Sequence, residues 1–209
     1  MLTGRRPRWW SDACRELTAQ DPLLAGLIDR YPPLRLGSRG NAFQTLARSI
    51  VGQQISVKAA RSVWIRFSAA CGTVAPDVVL ATDIAVLRAC GLSGRKVEYL
   101  HALALHFQAR PDGVDGWARL DDDAIVDELT AVRGIGVWTV QMFLIFHLAR
   151  PDVLPLADLG LRRAIELGYG GGRQAQPASV AQLSRRWQPW RTVATWYLWR
   201  SLEPEPVLH

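Results

Sequence analysis

The sequence predicts an all-α fold. Apolar residues recur at spacings of three and four along most of the chain, no stretch alternates at the period of a strand beyond a few residues, and the breaks between periodic segments carry helix-capping and turn residues. With 209 residues, 49% of them hydrophobic and 21% charged, the chain can bury a core without disulfides or metals, as one compact domain or two small lobes. There is no internal repeat.

The elements follow in order. Residues 41–50 place Phe43, Leu46, Ala47 and Ile50 on one apolar face. After the loop Gly52-Gln53-Gln54, Ser56 can cap a second helix whose inward side carries Val57, Ala60, Val63, Trp64 and Phe67. Thr82 starts a short helix ending near Gly91. Ser93 starts another, with Val97, Leu100, Leu103, Ala104 and Phe107 inward. Pro111-Asp112-Gly113 reads as a turn. Asp121-Asp122-Asp123 opens a helix where anions suit the N-terminal dipole, so this acidic run is a solvated helix start. That helix runs to Arg133. A strongly apolar helix over 137–148 is stopped by Arg150-Pro151, and Asp152 in the extended segment that follows reads as a surface turn residue. Helices over 159–167, 179–186 and 190–201 complete the chain, the first followed by the glycine run ending at Gly172.

Charge and composition narrow the partner. The formal charge is +6. Residues 1–100 hold 14 Arg/Lys against 7 Asp/Glu, leaving 11 against 12 in the remainder. A basic first half suits a face turned toward phosphates, although 23 of the 25 basic residues are Arg, which composition alone can produce. Cys14, Cys71 and Cys90 are odd in number and widely spaced. That excludes a disulfide framework, a structural zinc site and a four-cysteine iron–sulfur cluster. His101, His106, His147 and His209 show no metal-ligand spacing. No apolar run reaches membrane-spanning length and no apolar core follows the charged start, so the expectation is a cytoplasmic protein without membrane association.

Gly134-Ile135-Gly136 is the most informative turn. Two glycines flank one apolar residue between a helix end and a new helix with Thr139 in its first turn. One reading is an ordinary helix–helix turn ended by glycine. The other is a hairpin whose exposed N–H groups meet a phosphate oxygen. Asp158, directly before Leu159-Gly160-Leu161, has the makings of a helix N-cap, and a cap also fixes the orientation of a carboxylate.

Four blocks in order widen the context: Ser49-Ile50-Val51-Gly52-Gln53-Gln54-Ile55-Ser56; Gly91-Leu92-Ser93-Gly94-Arg95-Lys96; the hairpin with Trp138-Thr139; and Leu154-Pro155-Leu156-Ala157-Asp158-Leu159-Gly160-Leu161. Trp187-Gln188-Pro189-Trp190-Arg191 forms a fifth. Together they resemble the helix-hairpin-helix DNA glycosylase superfamily, and within it the 3-methyladenine DNA glycosylase II branch. The resemblance implies two helical lobes, residues 1–36 with 151–209 and residues 37–150, with the helix-hairpin-helix at about 129–142 and an active-site cleft between the lobes. It implies a monomer that acts on damaged bases in double-stranded DNA and needs no cofactor. It also implies a monovalent cation, Na+ or K+, on the main-chain carbonyls of Thr130, Val132 and Gly134.

The chemistry implied is hydrolysis of the N-glycosidic bond of alkylated purines, of the 3-methyladenine and 7-methylguanine type. Positive charge grows on the sugar in such a reaction, and a carboxylate beneath it stabilises that charge. Asp158 matches the family's aspartate. The base must first leave the stack. Trp138 and Trp199 are the expected pocket walls, because a cationic alkylated purine is attracted to aromatic faces, with Trp196 and Tyr197 one turn away. Gln53 is expected at the base and Gln54 in the gap it leaves. Arg133, Gly134, Ile135, Gly136 and Thr139 are expected against DNA. Met142 and Arg200 stand where tyrosines help line the pocket in the best-studied bacterial form. Relatives that also cleave the backbone carry a lysine where this chain has Trp138, and Lys58 and Lys96 lie outside the hairpin, so the expectation is a monofunctional enzyme. A DNA-binding module without catalysis and a glycosylase/lyase for oxidised bases are the competing readings.

Overall fold

The structure, a computed structural model, describes residues 6–31, 41–110, 114–171 and 176–202. The turn expected at Pro111-Asp112-Gly113, the residue Gly172 and the expected boundary at 36/37 lie outside them. Among the described residues the regular elements are twelve α-helices and two short 3-10 turns, with no strand. None of these helices is long and apolar enough to cross a membrane. The chain divides into two units, one of Met1–Gly37 with Leu144–His209 and the other Ser38–Phe143. The second division therefore falls at 143/144, a few residues before the expected 150/151.

The contiguous unit is built from α3 (Ala42–Gly52), α4 (Val57–Cys71), α5 (Pro76–Ala81), α6 (Ile84–Ala89), α7 (Gly94–Ala109), a 3-10 turn (Val114–Arg119), α8 (Asp122–Thr130) and the first part of α9 (Val137–Phe146). Its helix starts follow the capping residues. Asn41, Ser56, Ser93 and Asp121 accept the N–H of Gln44, Ala59, Lys96 and Ala124 respectively, each filling one unsatisfied donor of a first turn. Phe43, Leu46, Ala47 and Ile50 are buried, and α3 packs on both α4 and α7. Phe43, Phe107, Trp117 and Phe143 meet edge to face in succession, the arrangement the ring quadrupoles favour. Beside them, Glu128 accepts hydrogen bonds from Trp117 Nε1 and Arg110 and pairs with His106 at 3.0 Å.

Several sequence expectations are corrected here. Thr82 ends α5 instead of starting the next helix: its hydroxyl donates back to the Val78 carbonyl at 2.7 Å, and Asp83 caps α6 through the Ala85 N–H. Val57, the first residue of α4, points to solvent. Helix α8 stops at Thr130, short of Arg133. Helix α9 stops at Phe146, because Ala149 turns left-handed (φ 52°) and the Arg150 N–H closes onto the Leu144 carbonyl.

The other unit joins the two ends of the chain: α1 (Trp10–Gln20) and α2 (Pro22–Arg30) with α10 (Leu159–Gly168), α11 (Pro177–Ser184), a 3-10 turn (Arg185–Trp187) and α12 (Arg191–Arg200). Its core packs Trp10, Leu17 and Leu24 with Leu161, Ile165, Trp187 and Leu198. Asp21, 1% exposed, is the polar centre. It caps α2 through Leu23 and Leu24, with Pro22 at the first helical position. It also accepts the Tyr169 hydroxyl at 2.8 Å and Trp187 Nε1 at 2.9 Å, and pairs with Arg186 at 3.2 Å. A buried carboxylate is tolerable only with such partners. Burial and the Asp21 charge push the Tyr169 pKa up, so its hydroxyl remains a donor.

Candidate active site

Asp158 is the N-cap of α10. Its Oδ1 accepts the Leu161 N–H at 2.7 Å and Trp199 Nε1 at 2.8 Å. The first bond fixes the side chain on the positive end of the helix, where an anion is favoured; the second reaches across from α12. Trp199 is in turn stacked on Phe146, centroids 6.0 Å apart and 15° from parallel. Gly160 makes room for the arrangement. A Cβ there would stand 3.1 Å from Asp158 Oδ1 and 3.3 Å from Trp199 Cδ1. The carboxylate is half-buried, and the α10 cap and the indole donor hold it in one orientation, as stabilising a sugar cation requires.

Behind it, Asp152 is an anchor and not the surface turn residue expected. Arg191 Nε and Nη2 donate to its two carboxylate oxygens at 2.7 and 2.9 Å, and the Arg191 N–H adds a third bond. This fork ties the segment leading to Asp158 to the start of α12, which carries Trp199. Thr192 adds to the tie, its hydroxyl donating to the Arg150 carbonyl and accepting the Val153 N–H.

In the contiguous unit, Ser49, Gly52, Gln53, Gln54, Trp138 and Met142 line an open cavity of about 480 Å³, a size common for small-ligand pockets. Trp138 is 48% exposed on its rim. Gln53 does more than line it: its Nε2 donates to the Gly134 carbonyl at 2.8 Å, joining the α3–α4 loop to the hairpin. Gln54 is exposed, with its backbone in the left-handed region at φ 58°.

The hairpin is fixed from beneath. Gly134 has φ 95°, and a Cβ on it would lie 2.2 Å from Tyr99 Cγ, so no other residue fits this backbone. Ile135 is buried and its N–H donates to the Val132 carbonyl, while Gly136 is exposed. Arg133 is exposed and pairs with Glu98 at 3.1 Å, a weak surface pair. Thr139, only 6% exposed, sits inside the start of α9. The Val132 and Gly134 carbonyls each accept one hydrogen bond and keep a second lone pair, a neutral oxygen set of the kind a hard monovalent cation takes.

The structure therefore brings Asp158 together with Trp199, and Trp138 with Gln53 and Gln54. Tyr197 is not available as a pocket wall: it is 1% exposed in the core, beside Cys14 Sγ at 3.7 Å. Arg200 lies over the Tyr31 ring. Tyr99 under Gly134, Gly160 beside Asp158 and Phe146 against Trp199 are contacts the sequence reading does not assign, although Gly160 stands inside one of the blocks that carry the resemblance.

With the capped carboxylate and the glycine hairpin described, comparison with known proteins gives a class. The chain belongs to the HhH-GPD superfamily of base excision DNA repair proteins, whose family model matches residues 47–189. It is 32% identical over 185 residues to DNA-3-methyladenine glycosylase 1 of Schizosaccharomyces pombe, covering 85% of this chain and 80% of that protein. A crystal structure of DNA-3-methyladenine glycosidase from Bacillus halodurans superposes with a TM-score of 0.84 at 32% identity, over 90% of this chain and 88% of that one. The 3-methyladenine DNA glycosylase of Schizosaccharomyces pombe, solved in complex with abasic DNA, gives 0.76 at 31% identity over 91% and 96%.

Proposed function

We infer that this protein is a DNA glycosylase of base excision repair that hydrolyses the N-glycosidic bond of alkylated purines, as the names of its relatives describe for them. The observation that carries the reading is Asp158, a carboxylate held on Oδ1 by its own helix start and by Trp199, within a chain of this family.

The steps follow from the residues. The N–H groups of Gly134 and Gly136, on either side of the internally bonded Ile135 N–H, and the exposed Arg133 grip phosphates of double-stranded DNA. Gln54 enters the stack and the damaged base leaves it. Trp138, exposed on the cavity rim, receives the base, its face attracting a ring made cationic by alkylation. As the bond to the sugar lengthens, the Asp158 charge stabilises the developing oxocarbenium ion and orients the attacking water. No lysine stands in the hairpin; Lys58 is exposed on α4 and Lys96 donates to the Val51 carbonyl. This supports a monofunctional hydrolase, which borohydride trapping of a covalent DNA adduct would refute. A monovalent cation on the carbonyls of Thr130, Val132 and Gly134 would supply a fixed positive charge beside the hairpin. The protein acts as a monomer in the cytoplasm.

The test is base release from methylated duplex DNA by wild type and Asp158→Asn. Asparagine caps a helix about as well as aspartate, so fold and DNA binding persist while release is lost. Equal release by both would remove Asp158 from the mechanism. No release by either, with DNA still bound, would make the protein a binding module.

A further inference from the structure

We propose that Lys96 is a positioning residue for base extrusion, holding the α3–α4 loop in the shape with which Gln54 enters the duplex. The proposal rests on the glycosylase reading above and concerns a step that reading leaves unexplained: what keeps a short loop rigid enough to displace a stacked base.

Lys96 Nζ donates to the Val51 carbonyl at 2.7 Å, a bond between residues 45 positions apart. Val51 lies in the last turn of α3, where carbonyls lack helical partners and carry the negative end of the dipole. An ammonium there both satisfies the oxygen and complements the charge. The lysine itself is set in place, because its N–H is held by the Ser93 cap and the next residue, Val97, is buried. Lys96 is half-buried, and this partial burial lowers its pKa from the ordinary 10.5.

The loop beyond Val51 needs such support. Gln53 leaves the helix at φ −56°, ψ 132° and Gln54 turns to φ 58°. A non-glycine residue keeps a left-handed backbone only where its surroundings over-determine it. Two tethers do so here: Lys96 to Val51 on the helix side, and Gln53 to the Gly134 carbonyl on the hairpin side. Tyr99, three residues after Lys96 and so on the same face of α7, packs under Gly134. One turn of α7 thus sets both segments that the glycosylase reading turns toward DNA, the loop by a charge and the hairpin by a ring.

Residue choice points the same way. Basic positions in this chain are Arg at 23 of 25, yet the group on this single carbonyl is a lysine. A compact ammonium suits a single acceptor, whereas a planar guanidinium fork is matched to two.

The experiment compares single-turnover base release by wild type, Lys96→Met, Lys96→Gln and Lys96→Arg on two DNAs. One carries the methylated base paired in a duplex, the other the same base in a small unpaired bubble, already out of the stack. For Lys96→Met we expect a loss of roughly tenfold to 100-fold on the duplex but within about twofold of wild type on the bubble. Lys96→Gln should resemble it, and Lys96→Arg should recover part of the duplex rate. General destabilisation would lower both rates alike, so an unchanged duplex-to-bubble ratio in Lys96→Met and Lys96→Gln overturns the proposal. Failure of the underlying reading looks different: wild type would then release no base from either DNA.

Discussion

Replacing Gly134 by alanine probes the hairpin through two separable costs. The first is conformational: φ is 95°, outside the range an L-residue adopts freely, which costs about 1–2 kcal/mol. The second is steric. The new Cβ would lie 2.2, 2.4 and 2.7 Å from Tyr99 Cγ, Cδ2 and Cβ, where ordinary contact begins at 3.4 Å. The ring and the turn must separate by more than an ångström, and overpacking of this kind costs about 1–3 kcal/mol. Gly134→Ala should therefore lose roughly 2–5 kcal/mol in urea unfolding, and its affinity for undamaged duplex should fall as the hairpin N–H groups move off the phosphate. Tyr99→Ala in the same background removes only the steric part. A double-mutant cycle should show coupling of about 1–3 kcal/mol, because neighbours in contact do not behave additively. Additive losses would show that Tyr99 does not support the hairpin, and a Gly134→Ala protein with wild-type stability and DNA affinity would refute the reasoning altogether.

Three further outcomes are expected. Trp199→Phe keeps an aromatic ring for Phe146 but deletes the Nε1 donor to Asp158; losing a hydrogen bond to a charged group, about 1.5–3 kcal/mol, should slow single-turnover release at least tenfold, and an unchanged rate would show that the bond is idle. Asp21→Ala removes a cap and strands the Tyr169 hydroxyl and Trp187 indole in the interior, so stability should fall by roughly 3–5 kcal/mol; a urea midpoint equivalent to under about 1 kcal/mol would reject the hub. Glu128 governs an acid limb. Burial alone would raise its pKa, but the Arg110 and Trp117 hydrogen bonds and the Arg110 and His106 charges outweigh burial and bring it below 4.5. A carboxyl with a lowered folded pKa contributes stability above its unfolded value and loses it as pH falls through the folded one. Glu128→Gln should thus be less stable near neutrality and show a shallower decline below pH 4.5 than wild type; parallel melting curves would count against it.

Helices α3, α4, α7 and α10 were legible because each has a short polar cap directly before an apolar run at helical spacing: Asn41, Ser56, Ser93 and Asp158. Local signals decide such elements. Thr82 misled because Thr can close one helix as well as open the next, and only the neighbouring Asp83 settles the matter. The N-terminal helices are less evenly marked: Asp21-Pro22 is a local start signal for α2, whereas α1 begins after Trp9 without a side-chain cap, and both precede the blocks that carry the family resemblance. At the site, Asp158 and Trp138 could be named from the sequence, but the bond from Trp199 to Asp158 spans 41 residues and no local pattern encodes it. Asp152 was misread for the same reason: its partner, Arg191, lies 39 residues away. Partners set by tertiary packing become visible only when the helices are in place.

The Asp21 hub also imposes a schedule on synthesis. Tyr169 and Trp187 follow Asp21 by 148 and 166 positions, so at ribosomal rates the carboxylate waits on the order of ten to thirty seconds for its partners. Trp10, Leu17 and Leu24 wait with it, since the Leu161, Trp187 and Leu198 side chains that bury them belong to the last quarter of the chain. Residues 38–143 form a contiguous unit, so the contacts within it close over shorter stretches of chain. Until those late partners are made, the tryptophan-bearing N-terminal arm stays exposed, and that arm is where a holdase would bind and where truncated chains would aggregate.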